Sequence, residues 1–190
     1  MKYILAIILW IAPFSVFGDI SDFRNSAKLF EIVEMTIERL EGRYGNHIQF
    51  NHKWNISLLS EQEIAKRWCE PLGSETSLQY IECMARDAIE AFYEVSTGTI
   101  VLKKSLSLTS AYDVGSIIHE VTHYVQDRHG LTGRGWYRKC TAWLEYDATL
   151  IELELTKKTG LYMPSWYTNH LNEWLQKWEN KLDNGKCPKL

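Results

Sequence analysis

The chain has 190 residues, 45% of them hydrophobic, and carries a formal net charge of −3 at pH 7. This length is sufficient for one domain with its own core. The mild acidity argues against nucleic acid as a partner, because proteins that bind nucleic acid usually present a strongly basic surface.

Residues 1–18 have the pattern of an export signal. Lys2 supplies a positive charge, and Ile4–Ile11 is an apolar run too short to span a bilayer comfortably. The segment Val16-Phe17-Gly18 fits a cleavage site, and an uncleaved membrane anchor is the alternative. We therefore predict a signal peptide followed by one domain over residues 19–190. That domain is expected to be periplasmic or secreted, with no stable membrane insertion after cleavage.

Four cysteines, Cys69, Cys83, Cys140 and Cys187, all follow the signal segment. An even number of cysteines in an exported chain favours two disulfides, for which three pairings are possible. We favour Cys69–Cys83, which would close a local loop, and Cys140–Cys187, which would tie the C-terminal tail to the body of the domain.

The part of the chain before residue 104 reads as a mixture of helices and strands. Apolar periodicity and turn residues predict, in chain order, a helix over Phe23–Leu40 ended by Gly42 and Gly45, strands within His47–Leu59, a helix from Ser60 to about Trp68, a helix over Leu78–Ala91, and a hairpin of Ala91–Val95 with Thr99–Lys103. The predicted fold class is α+β, with a small sheet packed against the helix that follows.

That next helix lies within Ser110–Gly130. Its apolar residues recur at helical spacing and form one stripe: Val114, Ile117, Ile118, Val121 and Val125. Ser110 followed by Asp113 predicts a capping box, and Gly130 predicts the helix end. The pattern therefore indicates an amphipathic helix whose apolar side packs into the core.

The same helix contains the motif H-E-V-T-H, which begins at His119 and ends at His123. Residues four apart lie on one face of a helix, so the two histidines can hold one metal ion together. Glu120 projects beside them and can accept a proton from a water molecule at the metal. The motif predicts a metal site with a built-in base.

A second informative helix is predicted over Cys140–Lys158. Apolar residues occupy much of its circumference, so its acidic residues need partners or a metal. Four polar residues share one face, Glu145, Thr149, Glu152 and Thr156, whereas Asp147 and Glu154 lie on another. A last helix begins at Pro164 and packs through apolar residues at helical spacing, namely Trp166, Leu171, Trp174, Leu175 and Trp178.

The H-E-V-T-H motif followed by a Glu-bearing helix resembles zinc metallopeptidases of the gluzincin type. In that group two histidines and a downstream Glu bind Zn²⁺, and the Glu inside the motif is the general base. The segment Glu145-Tyr146-Asp147-Ala148 also resembles the E-x-x-A-D signature of some of these families, whose first Glu is the third ligand. The resemblance implies a zincin-like fold, metal ligands His119, His123 and Glu145, and Glu120 as the catalytic residue.

The match departs from the signature at its last position, where Thr149 stands in place of Asp. In those families that Asp usually accepts a hydrogen bond from a zinc-binding histidine. Asp147 remains an alternative for this support, or for the third ligand itself. The residue that would stabilise a developing oxyanion is also open, with four candidates: Tyr137, His129, His170 and Tyr162.

The expected function is that of a secreted or periplasmic zinc metallopeptidase acting on a peptide or protein substrate. In such enzymes an edge strand beside the metal helix often holds an extended substrate, and Thr99–Lys103 is either that strand or an ordinary strand of the sheet. One alternative is a zinc amidase acting on cell-wall peptide. Another is a non-catalytic, disulfide-stapled binding module on a zincin-like scaffold. The sequence gives neither the substrate specificity nor the oligomeric state.

Overall fold

The computed structural model describes residues 21–44, 55–73, 76–84, 89–132 and 141–183. Over these residues the chain forms six α-helices and three strands, with a short 3₁₀ turn at Glu70–Leu72. In chain order they are α1 (Ser21–Tyr44), β1 (Asn55–Leu59), α2 (Glu61–Cys69), α3 (Leu78–Met84), β2 (Ala91–Glu94), β3 (Thr99–Lys103), α4 (Ala111–Arg128), α5 (Thr141–Lys158) and α6 (Ser165–Asp183). The predicted mixture of helices with a small sheet is confirmed. The predicted signal peptide, residues 1–18, lies outside the described residues.

The three strands form one sheet in the order β1-β3-β2. Strand β3 pairs with β2 as the predicted antiparallel hairpin and with β1 in parallel. The prediction that Thr99–Lys103 is an edge strand is therefore wrong, since β3 is the central strand. The parallel pairing is possible because the chain crosses over from β1 to the hairpin through α2 and α3.

The two faces of the sheet pack against different helices. On one face Tyr93, Ile100 and Leu102 join the main core, which α1, α4 and α5 complete. On the other face Phe92 and Val101 pack against Ile64 of α2. This alternation follows the two-residue period of a strand, and it places α4 directly against one side of the sheet.

Helix α5 contacts the helices α1, α4 and α6. It packs against α4 and α6, while α1 packs on α4 and reaches α5 through ion pairs. Between α4 and α6 a smaller cluster contains Ala111, Leu153, Tyr167 and Leu171. Helix α5 is consequently buried on most sides, as its sequence predicted, and its acidic residues face neighbouring helices.

Several predicted element bounds are confirmed and others need correction. Helix α2 begins with the predicted capping box, in which Ser60 and Glu63 bond each other reciprocally. Helix α1 continues through Gly42 to Tyr44, because one exposed glycine weakens a helix without ending it. The helix predicted over Leu78–Ala91 is described over Leu78–Met84 and does not reach Ala91, because residues 89–90 are not helical and Ala91 begins β2.

The Cys69–Cys83 disulfide is present as predicted and links α2 to α3. Both cysteines are buried beside Tyr80 in a small cluster of their own. The second predicted pair, Cys140–Cys187, lies outside the described residues. A search of the described helices for one that is long and apolar enough to cross a membrane finds none.

Candidate metal centre

Helix α4 presents its polar face to α5 because its apolar stripe is buried on the opposite side. The predicted stripe residues are all buried: Val114, Ile117, Ile118, Val121 and Val125. The helix begins after Ser110, whose hydroxyl accepts a hydrogen bond from the Asp113 amide at 3.3 Å. The other half of the predicted capping box is replaced, since the Asp113 carboxylate accepts from the Ser107 amide instead. Gly130, with φ of 67°, follows the helix end.

The structure brings His119, His123 and Glu145 together, so that one ligand atom from each lies within 4.8 Å of the others. The two Nε2 atoms of the histidines are 3.1 Å apart. The Glu145 carboxylate from α5 lies 3.4 Å from His119 Nε2 and 3.5 Å from His123 Nε2. These three side chains are close enough to bind one metal ion.

His119 and Glu145 shift each other's pKa values. Burial alone would raise the pKa of Glu145, but hydrogen bonds and attraction from the two histidines hold it well below its usual range. Burial likewise would lower the pKa of His119, whereas its bonds to Glu145 and Glu152 raise it well above the ordinary value. The carboxylate is therefore ionised at neutral pH, as a metal ligand must be.

Glu152 supports His119 from behind, a role that the sequence analysis did not assign. Its Oε2 lies 2.9 Å from His119 Nδ1, and its Oε1 accepts a hydrogen bond of 2.6 Å from the Tyr167 hydroxyl of α6. Because a carboxylate only accepts, Nδ1 of His119 carries the proton that it donates. The signal was present in the sequence, since Glu152 follows Glu145 by two helical turns on the same face.

Asp147 is not a member of the ligand group. It is fully buried, forms an ion pair with Arg43 at 2.5 Å, and accepts a hydrogen bond from the Tyr44 hydroxyl. Of the two carboxylates that the sequence left open, the structure therefore brings Glu145 to the histidines. Thr149, which replaces the last Asp of the signature, bonds the carbonyl of Glu145 within its own helix.

Glu120 lies beside the histidines and is held by strand β2. Its Oε2 accepts a hydrogen bond of 2.7 Å from the backbone N–H of Tyr93. The Lys103 amide bonds the Glu90 carbonyl, and backbone groups of β2 point toward β3 only at every second residue from there. The backbone N–H of Tyr93 therefore points away from β3. Strand β2 is thus the strand beside the motif helix, and it fixes one oxygen of the carboxylate.

Three of the four oxyanion candidates lie among the described residues. His129 ends α4 with its ring 5.1 Å from that of Tyr44, and His170 lies 5.8 Å from the Trp174 ring on α6. Tyr162 is 84% exposed in the turn before α6. Tyr137 lies outside the described residues, so the structure does not select one candidate.

Comparison with known proteins gives no match, because no family model fits the chain and neither a curated protein nor a solved structure is similar to it. Any functional interpretation therefore rests on the geometry of the site. This geometry combines two imidazoles, the Glu145 carboxylate that faces both of them, and the neighbouring Glu120 carboxylate held by the Tyr93 N–H.

Proposed function

We propose that this protein is an exported zinc-dependent peptidase in which His119, His123 and Glu145 hold the metal and Glu120 is the general base. The convergence of two Nε2 atoms and one carboxylate carries the proposal. Two nitrogen ligands and one oxygen ligand are the donor set of several catalytic zinc sites, which keep one position open for water or substrate.

The spacing of the two imidazoles and the carboxylate is compatible with one bound metal ion, for which we propose zinc. In a tetrahedral site with zinc–ligand distances of about 2.0–2.1 Å, the ligand atoms lie roughly 3.3–3.4 Å from one another. The two Nε2 atoms are 3.1 Å apart. His119 Nε2 lies 3.4 Å from Glu145 Oε2, and His123 Nε2 lies 3.5 Å from the other oxygen, Oε1, so the carboxylate faces both nitrogens.

The local charge also favours a divalent cation. Three carboxylates, Glu120, Glu145 and Glu152, surround the two imidazoles. Within the described part of the chain, no lysine or arginine forms an ion pair with any of the three. A bound divalent cation would compensate the charge of these carboxylates.

Zinc, when bound, supplies a Lewis acid that activates water and polarises a carbonyl group. Glu120 accepts the proton of the attacking water and delivers it to the leaving amine. The Tyr93 N–H holds one Glu120 oxygen, which leaves the other oxygen for this proton transfer. Strand β2, rather than the predicted β3, is the strand along which an extended substrate would lie.

Export is the second part of the proposal. The signal-like residues 1–18 support it, and so does the Cys69–Cys83 disulfide, since disulfides persist mainly in oxidising compartments.

Zinc content and hydrolysis of the purified protein test the proposal. We expect about one zinc ion per chain by elemental analysis and cleavage of internally quenched peptides. Glu145→Gln should lose most of the zinc, whereas Glu154→Gln, a matched change on the same helix, should keep it. Glu120→Gln should retain zinc and lose on the order of 10²–10⁴ in rate, because proton transfer by a positioned base contributes that much.

Each other outcome contradicts a specific part of the proposal. A protein that takes up no zinc would remove the metal site, and a fully active, zinc-loaded Glu120→Gln would remove the base. Cleavage confined to cell-wall peptides would identify an amidase instead of a general peptidase. Bound zinc without hydrolysis of either substrate class would favour a binding module.

A further inference from the structure

Gln126 lies three residues after His123, on the same side of α4, and is completely buried. Its side chain contacts groups from α4 and α5, and its Nε2 also lies 3.5 Å from the Tyr44 hydroxyl of α1. One amide atom, Oε1, lies 2.9 Å from His123 Nδ1. The other, Nε2, donates to the Leu144 carbonyl at 3.1 Å and to the Asp147 carboxylate at 3.4 Å, both on α5.

These partners decide which way the amide faces. A backbone carbonyl and a carboxylate accept hydrogen bonds and cannot donate them, so the Gln126 NH₂ group must face Leu144 and Asp147. Its Oε1 must then face His123. Because Oε1 can only accept, Nδ1 of His123 carries the hydrogen of this bond, and Nε2 is the ring nitrogen that faces the candidate metal position.

Asp147 is itself held in place from α1. The Arg43 guanidinium pairs with one of its oxygens, and the Tyr44 hydroxyl donates to the other, which is also the one that Gln126 approaches. Asp147 is therefore fixed in orientation by groups of α1, although its side chain is fully buried. A continuous set of hydrogen bonds connects α1 through Asp147 and Gln126 to His123.

We propose that Gln126 is the positioning residue of the His123 ligand and that Asp147, held by α1, orients the Gln126 amide. This inference rests on the proposed zinc site and adds the support that the altered E-x-x-A-D signature leaves unassigned. It gives the two histidines different supports, since His119 bonds to the carboxylate of Glu152 and His123 bonds to a neutral amide. The competing explanation is that Gln126 only joins α4 to α5.

Two variants at this position separate the two explanations. Gln126→Leu and Gln126→Glu both remove the donor to Leu144 and Asp147, but only the glutamate keeps an acceptor for His123. Thr122→Val is the control for a buried polar change on α4, because the Thr122 hydroxyl bonds the Ile118 carbonyl within its own helix. All four proteins, including the wild type, are titrated with zinc against a chelator, and their stability without zinc is measured by urea unfolding.

We expect Gln126→Leu to bind zinc about 10- to 100-fold more weakly than wild type, the usual effect of losing the hydrogen-bond partner of a metal-binding histidine. Gln126→Glu should recover most of that affinity, although it should unfold at no higher urea concentration than Gln126→Leu. Thr122→Val should bind zinc as tightly as wild type. Affinity that instead follows unfolding stability across the variants would show that Gln126 only joins the helices.

Nitrogen-15 NMR of the histidine rings gives a readout that does not depend on activity. In the zinc-loaded wild type we expect hydrogen-bonded Nδ1–H signals from both His119 and His123. Gln126→Leu should lose the His123 signal alone, and Gln126→Glu should restore it. An unchanged His123 signal in Gln126→Leu would overturn the inference. Failure of the wild type to bind zinc is a different result, since it would contradict the proposed function and not this assignment alone.

Discussion

Gly115 shows how a single residue determines the surroundings of the candidate metal centre. It lies on α4, one turn before His119, at the point where α6 crosses. A Cβ atom built on Gly115 would lie 1.7 Å from the Tyr167 hydroxyl oxygen and 3.0 Å from Glu152 Oε1. The absence of a side chain at this position therefore allows Tyr167 to reach Glu152, and Glu152 to reach His119.

Gly115→Ala is accordingly expected to destabilise the protein by about 1–3 kcal/mol, even though alanine is the better helix former, because the Tyr167 hydroxyl must move. Zinc affinity should fall as well, since Glu152 would lose its fixed position. Urea unfolding and zinc titration measure the two effects.

The double variant with Tyr167→Phe is the control for this prediction. Removing the hydroxyl relieves part of the clash, so the two changes together should cost less than the sum of their separate effects. Strict additivity would show that the Tyr167 hydroxyl is not the atom that excludes a side chain at position 115.

At the scale of elements, α1 and α5 are joined by a charged contact in addition to the ion pair between Arg43 and Asp147. Arg39 of α1 makes a two-pronged contact with Glu154 of α5, with both bonds 2.8 Å long, and Lys158 approaches the same carboxylate. Hydrogen bonding to Arg39 and then to Lys158 lowers the pKa of Glu154 to about 2. Both partners are about one-third exposed, so solvent screening keeps the contribution to stability small.

The contact predicts a defined dependence of stability on pH. Because the pKa of Glu154 is lower in the folded protein than its unfolded value of about 4.3, its contribution is complete above that pH. The contribution is lost as the pH falls toward 2. Glu154→Gln should therefore cost no more than about 1 kcal/mol at pH 7, and the difference from wild type should shrink between pH 5 and pH 2.

Urea unfolding of both proteins across this pH range checks the expectation. Arg39→Gln, which removes the other partner, should show the same trend. A difference between wild type and Glu154→Gln that stays constant from pH 7 to pH 3 would contradict the assigned pKa shift.

At the scale of the whole molecule, the disulfide and the candidate metal centre lie in different parts of the fold. Cys69 and Cys83 join α2 to α3, and α2 packs on the face of the sheet that carries Phe92 and Val101. The opposite face, with Tyr93, Ile100 and Leu102, packs in the core that includes α4. The sheet therefore separates the stapled helices from the helix that carries the histidines.

Replacing both Cys69 and Cys83 with alanine should lower the free energy of unfolding by about 3 kcal/mol, as expected for a closed loop of roughly 15 residues. Zinc affinity of the folded protein should not change, because α4 and α5 keep their contacts. Urea unfolding and zinc titration of the variant test both statements. A large loss of zinc affinity in a variant that remains folded would show that the two parts are coupled.

The sequence by itself determined most of the local structure, including the face of α4 that carries His119 and His123. The α4 stripe and its Ser110 cap, the α2 capping box and the β2–β3 hairpin follow from patterns within a few residues of one another, and the structure contains each of them. The placement of His119 and His123 on one helix face is equally local, because a helix fixes the geometry of residues four apart. Glu145 as the third member of the group came from a resemblance, and the structure places it beside the two histidines.

Only the tertiary structure decided the contacts that join different elements. Strand β1 lies beside β3 through a parallel pairing between residues far apart in the chain. This pairing makes β3 the central strand, and the strand that bonds Glu120 is β2. The bonds of Glu152 to Tyr167 and of Asp147 to α1 depend likewise on how the helices pack. Sequence periodicity reports which face of an element is apolar, and it does not report which polar residue of a second element lies opposite that face.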